Sequence, residues 1–549
     1  MTTSTLSLPS ARISDFLELW AERTPLAEAL VAGDCRVSYY DLRISVDRLA
    51  RAMLAAGVVK GDRIATLQTP HPNYVVALLA ATSIGAIWVG LNPRYRLEEL
   101  QHVVSDAEPK LLVTRTSVAG RNYADELKQL SSTVGSLRQV IVFEGDPLLP
   151  GCTSMSRFLE GGQTVTPDEL RARREACGGK DACLIVYTSG STGKPKGALL
   201  HHEAVASFAV EQNRLWPVEP LRILNYFPIN HIGCVVDLTI PCLAAGGCLV
   251  FLEQFTPAGS LNIMVREKIT LWISVPTVFE LQMALPDFES YDLSAVRLIV
   301  WEGATMPDAL IERLLRVGPP LATAYGMTET LQITATPMTH ESECLIGSAG
   351  VPFAGVDIRL VDPDGHCVET GEVGEVQVRS GFTLLGYWRQ PDATAAAMTA
   401  DGFFRTGDLA QQRADGSYRI VGRLKEMFKS GGYNVYPREI EAVLEAHPAV
   451  AIAAVVSVPD PVWQEVGVAF VVPGAQVTPE QIRAWCRERL ANYKVPKCIV
   501  IDPAVPLLPI GKIDKKQLQE RARRLRDDPA AVAGANPTET EIPARPDAP

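Results

Sequence analysis

The segment Tyr187–Gly197 reads YTSGSTGKPKG and follows an apolar run, ACLIV, of buried-strand character. It crowds three glycines, four Ser/Thr hydroxyls and two lysines into one loop. Glycines let backbone N–H groups close around phosphate oxygens, while hydroxyls and lysines add donors and charge. Thr188, Ser189, Gly190, Ser191, Thr192, Gly193, Lys194 and Lys196 are therefore candidate phosphate ligands. The loop is not a Walker A motif. Thr188 stands where that motif needs its first glycine, and Lys194 is followed by Pro195 instead of Ser or Thr. A merely flexible surface turn has no need of so dense a set of donors.

Other residues of suitable chemistry lie far along the chain: Tyr325 beside Gly326, Thr328 with Glu329, Asp408, Arg423 and Lys512. Taken singly, each has an ordinary structural reading, as a core ring, a solvated charge or a lysine at the start of a surface helix.

The elements that must position these residues form a layered pattern. From Arg12 to about Val300, short β-branched runs (RIATLQ, KLLVT, QVIVFE, ACLIVYT, LWISVP) alternate with helix-length segments such as Asp41 to Ala56. That alternation predicts an α/β architecture with largely parallel sheets. After Gly347, VDIRLVDPDG, GEVGEVQVRS and DGSYRIVGR predict a small antiparallel β region. Beyond Gly422, helix and strand patterns alternate again over a further α+β unit. The expected fold is a large N-terminal, multi-subdomain α/β core with a small β region (1–422), a hinge (423–425) and a small mobile α+β domain (426–523). The Pro-, Ala- and acid-rich tail (524–549) lacks apolar periodicity and reads as disordered.

Composition narrows the class. The chain has 549 residues, 47% hydrophobic and 21% charged, which excludes collagen-like, disordered and disulfide-stapled proteins. A net charge of -11 argues against broad attraction to nucleic acid or anionic lipid. The eleven cysteines show no CxxC pair and no zinc spacing, so reduced thiols in a cytoplasmic setting are expected. No secretory signal is visible at the N-terminus. The longest apolar stretch, Tyr74 to Leu91, is broken at Gly85 into a helix-like and a strand-like half, so a buried αβ unit is expected in place of a membrane span.

With these motifs, the sequence resembles the superfamily of adenylate-forming enzymes, which includes acyl-CoA synthetases, peptide-synthetase adenylation domains and beetle luciferases. The resemblance covers roughly residues 12 to 523. It rests on the loop ending in PKG and on LNPRYRLEEL, FPINHIG, AYGMTET, FRTGDLA, VGRLKEMFKSGGYNVYPREIE and IGKIDKKQL, in the family's order and spacing. The common SGK is here Ile510-Gly511-Lys512.

The resemblance implies ATP, Mg²⁺ and coenzyme A as cosubstrates and cofactor. It implies adenine stacking by Tyr325 next to Gly326, α-phosphate contact by Thr328, and Mg²⁺ binding by Glu329 with Ser191. Asp408 and Arg423 would hold the ribose, and Gly303 and Ala304 belong to the nucleotide site. Lys512 is the expected catalytic residue of the first step: a cation bridging carboxylate and phosphate lowers their repulsion and orients the attack. His231 would gate the route from adenylate to thiol. Rotation about Lys425 would bring Gly431, Gly432 and Tyr433 to a pantetheine tunnel.

The resemblance also bears on the acid. Peptide-synthetase domains place an aspartate after the gating aromatic, where this chain has Ile232, so an α-amino acid is not expected. No serine follows Lys512, so no attached carrier-protein site is expected and free coenzyme A is the favoured acceptor. The acyl pocket is expected from His231, Val235, Trp301, Glu302 and Met327. Glu302 and Asp237 either face that pocket, adding polarity and shortening it against long straight-chain acids, or turn to structural partners. The resulting expectation is an AMP-forming carboxylic acid:CoA ligase for an aryl, cyclic or short-to-medium-chain acid. An acyl-AMP ligase loading a separate carrier protein and a catalytically silent nucleotide-binding regulator are the competing readings. Expected partners are small molecules only, with no nucleic acid and no membrane span, and a homodimer is allowed.

Overall fold

The computed structural model describes residues 12–118, 120–144, 151–188, 195–508 and 511–527. The apolar stretch at Tyr74 splits as its glycine suggests. Pro72–Ser83 is a helix, started by a proline and by His71, whose ring accepts from the Asn73 N–H. Gly85 turns the chain at φ 80°, and Ile87–Leu91 is a fully buried strand. No helix among the described residues is long and apolar enough to cross a membrane.

Two large sheets carry the N-terminal part. In the first, five strands run parallel in the order Leu321–Met327, Leu298–Glu302, Leu271–Ser274, Arg222–Asn225 and Cys248–Phe251, with Glu28–Ala32 beside them and antiparallel strands at both edges. The second has Ala182–Thr188, Ile87–Leu91, Arg63–Leu67, Leu111–Thr114 and Gln139–Val142 parallel, closed at one edge by the antiparallel Lys196–His201 and Gly386–Tyr387. The largest core cluster draws apolar residues from both sheets and from helices Tyr39–Ala55, Pro72–Ser83 and His202–Leu215. Burial on both faces explains why these strands read as continuous apolar runs.

The expected antiparallel region is a four-stranded sheet of Asp357–Val361, Val373–Arg379, Phe404–Gln412 and Tyr418–Arg423. The final α+β unit packs helices Pro437–Glu445, Pro479–Arg489 and Lys515–Asp527 on a sheet whose centre is the long hairpin Val450–Asp460/Gln464–Pro473. Its last helix continues to Asp527, past the boundary at 523 read from the sequence, because Leu518 and Ala522 are buried and keep that helix seated. The rest of the expected tail, 528–549, lies outside the described residues.

Candidate active site

The motif Tyr187–Gly197 begins and ends on two paired strands. Ala182–Thr188 pairs antiparallel with Lys196–His201, with Thr188 opposite Lys196 and Tyr187 opposite Gly197. Ser189, Gly190, Ser191, Thr192, Gly193 and Lys194 lie outside the described residues. The base of the hairpin is fixed from below: the Tyr187 hydroxyl donates to Asp106 (2.6 Å), and the Trp388 indole N–H donates to the Asp106 carbonyl (3.0 Å). A side chain at Gly197 would collide with Ile185, Tyr187 and Trp388, so a bare backbone is required there.

Beside the hairpin stands Glu329, almost fully buried, whose Oε1 accepts from the Tyr387 hydroxyl at 2.9 Å. Burial pushes the Glu329 pKa above the ordinary carboxylate range, and the Tyr387 bond offsets this only in part. The Lys196 ammonium lies 5.3 Å from the centre of the Tyr387 ring. Thr328, next to Glu329, is buried with it.

A second cluster joins three separate strands. The Tyr325 hydroxyl donates to Asp408 Oδ2 at 2.8 Å, and Arg423 Nε meets Asp408 Oδ1 at 2.9 Å. Asp408 and Arg423 are cross-strand partners, and the Asp408 N–H is tied to Thr406 Oγ1. Asp408 is 2% exposed, whereas Arg423 stands half out on the rim. Desolvation raises the Asp408 pKa, opposed by the guanidinium.

Lys512 reaches in from the C-terminal unit and ends against Gly303. A β-carbon placed on Gly303 would be 2.6 Å from Lys512 Cε and 3.0 Å from Nζ. Gly303 has φ 78° and directly follows the strand Leu298–Glu302. Removal from water, and after it Arg423, bring the Lys512 pKa down to about 8 against the opposing pull of Asp408, Glu302 and Asp237.

The loop holding His231 is placed by another bare backbone. A β-carbon on Gly90 would meet the Ile229 carbonyl at 2.5 Å and Asn230 Cα at 2.9 Å. His231 Nδ1 accepts from the Gly233 N–H at 3.0 Å. Burial, with Lys512 nearby, drops the His231 pKa to about 3, so its ring is neutral at physiological pH and is no proton carrier there. Gly233–Thr239 then winds as a π-helix, a wide turn found often at functional sites. Val235 on it is buried in the core, and Asp237 is turned to Gln332.

Glu302 and Asp237 converge on one amide. Gln332 Nε2 donates to Glu302 Oε1 at 2.6 Å, and the same side chain lies near enough to Asp237 to lower its pKa. Gln332 sits opposite Gly326, and any side chain at Gly326 would strike Leu331 and Gln332 backbone. Desolvation first, then mutual repulsion, drives the Glu302 pKa well up; desolvation lifts Asp237 to about 7, with Lys512 and Gln332 opposing.

Three expectations need qualification. Trp301 was expected in the acyl pocket, but adjacent strand residues point to opposite faces, and Trp301 is core, clustered with Trp272 and Phe279. Glu302 takes the face toward Gln332. Gly431, Gly432 and Tyr433 are not gathered with Lys512. They form an exposed turn in which Gly431 donates to the Trp463 carbonyl and Tyr433 stacks on Tyr493 at 4.5 Å. Lys425 is exposed between Arg423 and Glu426, whose carboxylate pairs with Lys515 at 3.0 Å. Ala304 is exposed and Met327 half-buried.

Glu329, the Tyr325–Asp408–Arg423 cluster and Lys512 thus lie within electrostatic reach of one another. The profile of the AMP-binding enzyme family matches residues 17–388, and that of the AMP-binding enzyme C-terminal domain matches residues 439–512. The chain belongs to the AMP-binding enzyme family. Among its relatives are a feruloyl-CoA synthase of an Amycolatopsis species, 36% identical over 91% of this chain and 97% of the relative, and an indoleacetate–CoA ligase of Aromatoleum aromaticum, 34% identical over 93% and 98%. The crystal structure of the anthranilate CoA ligase AuaEII with anthranoyl-AMP superposes with a TM-score of 0.83 at 25% identity, covering 96% of this chain and 100% of that one. Within the AMP-binding family the chain falls with the acyl-CoA ligases, enzymes that use ATP and coenzyme A.

Two residues of this AMP-binding enzyme escaped the sequence reading. Tyr387 reaches Glu329 across 58 positions, because Gly386–Tyr387 adds as an edge strand beside Lys196–His201. The GYW run at Gly386 beside a Pro-led helix was the available signal. Gln332 lies only five residues beyond Met327, but nothing local shows that its amide spans to Glu302 and Asp237.

Proposed function

We propose that the protein joins an aryl, cyclic or short-to-medium-chain carboxylic acid to coenzyme A in two steps. In the first, an oxygen of the acid attacks the α-phosphorus of ATP, the bond to pyrophosphate breaks, and an acyl-adenylate forms. In the second, the coenzyme A sulfur attacks the acyl carbon, AMP departs and the thiol proton passes to solvent. The observation that carries the reading is the Lys512 ammonium, desolvated and seated against Gly303. A lysine there bridges two anions that would otherwise repel, and its point charge needs no fixed fork of donors.

The remaining roles follow the clusters. Tyr325 stacks the adenine with Gly326 beneath, and Asp408 with Arg423 holds the ribose, positions supported by the Tyr325–Asp408–Arg423 contacts. Thr188, Ser189, Gly190, Ser191, Thr192, Gly193, Lys194 and Lys196 cradle the phosphates, with Thr328 on the α-phosphate and Gly303 and Ala304 beside it. Glu329 fits a Mg²⁺ ligand, since a buried hard-oxygen donor with a raised pKa gains most from a divalent cation; with Ser191 it would hold an ion that neutralises phosphate charge. His231 is neutral and serves as a gate, because a thiol attacking an acyl-adenylate needs no general base. Val235, Glu302 and Met327 line the acyl side. Lys512 must leave before the thiol arrives, so the C-terminal unit turns about Lys425 and presents Gly431, Gly432 and Tyr433. All eleven cysteines are free, which fits a reducing cytoplasmic compartment.

The test is acid-dependent AMP formation with and without coenzyme A, over aromatic, alicyclic and linear acids, with Lys512→Ala as control. AMP and acyl-CoA appearing together, with the variant lowered at least 10²-fold, supports the reading. Adenylate formation that ignores coenzyme A overturns the acceptor.

A further inference from the structure

The cluster of Asp237, Glu302 and Gln332 is not accounted for by adenylation chemistry. Glu302 ends the strand that leads into Gly303, so its carboxylate stands one residue from the glycine against which Lys512 rests. Asp237 comes from the π-helix that follows His231, the residue assigned to the gate. Gln332 comes from a third element, donates to Glu302 and lies near enough to Asp237 to lower its pKa. Three elements therefore deliver polar groups to one spot beside the reacting centre.

The hydrogen-bond inventory of that spot is one-sided. An ionised carboxylate only accepts; burial and mutual repulsion raise the pKa of this pair, and an N–H donor placed between them would favour the ionised, accepting form. The Gln332 amide donates to Glu302 Oε1. Its Oε1 is buried and finds no partner among the described residues, on a side chain only 4% exposed. An orphaned buried acceptor costs about 1–3 kcal/mol, and two close carboxylates repel. Lys512 is the nearby cation, yet the proposed first step commits its charge to the substrate carboxylate and α-phosphate. His231 is neutral and contributes none. The site is rich in acceptors and wants a group with several N–H bonds.

We propose that Asp237, Glu302 and Gln332 form a specificity subsite that recognises an amino group carried on the acyl part of the substrate, close to its carboxylate end. An amine offers two or three donors to the three acceptors at once, where a hydroxyl offers one. A methyl group of the same size leaves the buried Gln332 Oε1 and the remaining carboxylate lone pairs without a donor. Such sites reject the analogue lacking the donor far more strongly than apolar pockets reject an extra methylene. The inference rests on the ligase reading above and narrows its acid to amine-bearing acids.

The experiment compares kcat/KM for AMP formation between the ortho-, meta- and para-aminobenzoates and the matching methylbenzoates, with aminomethyl- against ethylbenzoates as the cationic pair. At least one amino acid of the panel should exceed its methyl partner about tenfold or more. Asp237→Asn and Glu302→Gln should each lower that ratio about tenfold, whatever they do to absolute rates, and calorimetric binding of the two acids should lose the same preference. Methyl acids used as well as or better than every amino partner by the unmutated enzyme overturn the subsite while leaving the ligase reading intact. Ratios unchanged in both variants overturn it as well. No AMP from any acid in any panel overturns the ligase reading, and the subsite falls with it.

Discussion

Replacing Gly303 by alanine tests the seat of Lys512 most directly. The new β-carbon would sit 2.6 Å from Lys512 Cε and 3.0 Å from Nζ. Carbon atoms pack at about 3.5–4.0 Å, so the end of the lysine must retreat by about 1 Å. The lysine tip is flexible and the clash itself is inexpensive; the displacement is what matters. A misplacement of about 1 Å in a positioned group costs about 10²-fold in rate, or about 2.7 kcal/mol of transition-state stabilisation. Alanine at φ 78° adds strain of about 1–2 kcal/mol to the fold. The assay separates the half-reactions: acid-dependent pyrophosphate–ATP exchange for the first, and thioester formation from synthetic acyl-adenylate plus coenzyme A for the second. Exchange should fall about 10²-fold, while transfer stays within a few-fold, since Lys512 has left by then. Unchanged exchange, or equal losses in both half-reactions, would refute the reasoning.

Three further outcomes are expected. With the Lys512 pKa lowered to about 8, the ammonium is present below that pH and lost above it, so kcat/KM for adenylation should be level up to about pH 8 and then fall about tenfold per pH unit; His231, neutral down to about pH 3, should add no inflection between pH 5 and 8. Asp408→Asn keeps one acceptor oxygen and turns the other into an amide donor, so Tyr325 and Arg423 are no longer both served; because Arg423 is half exposed its share is small, and a loss of about 1–3 kcal/mol in thermal unfolding is expected, with a higher KM for ATP. Tyr387→Phe leaves the Glu329 carboxylate buried without its donor; titrations should show a higher Mg²⁺ concentration for half-maximal rate and a similar loss of stability.

The particular elements show how far the chain could be read in advance. The strands at Arg63, Leu111, Gln139, Ala182 and Leu271 were legible because each is a short apolar run between helix-length segments, and sheets buried on both faces demand that pattern. The break at Gly85 was legible because only a residue tolerant of positive φ turns there easily. Trp301 was misplaced because a motif gives position along a strand, whereas the face a residue takes depends on which core covers it.

What the sequence determined by itself was therefore local and periodic: the layered α/β order and the antiparallel insert. What only the tertiary structure decided were the meetings between residues distant in the chain. Tyr325 finds Asp408 through 83 positions, Tyr387 finds Glu329 through 58, and Lys512 comes from the opposite end of the chain to rest on Gly303. Such meetings follow from sheet order and from domain packing, which arise from the summed burial of many apolar side chains and leave no mark in the spacing of any one motif. The polar cluster of Asp237, Glu302 and Gln332 belongs to the same class. Gln332 reads as an ordinary residue until separate elements bring it beside Asp237 and Glu302, where its buried Oε1 finds no partner among the described residues.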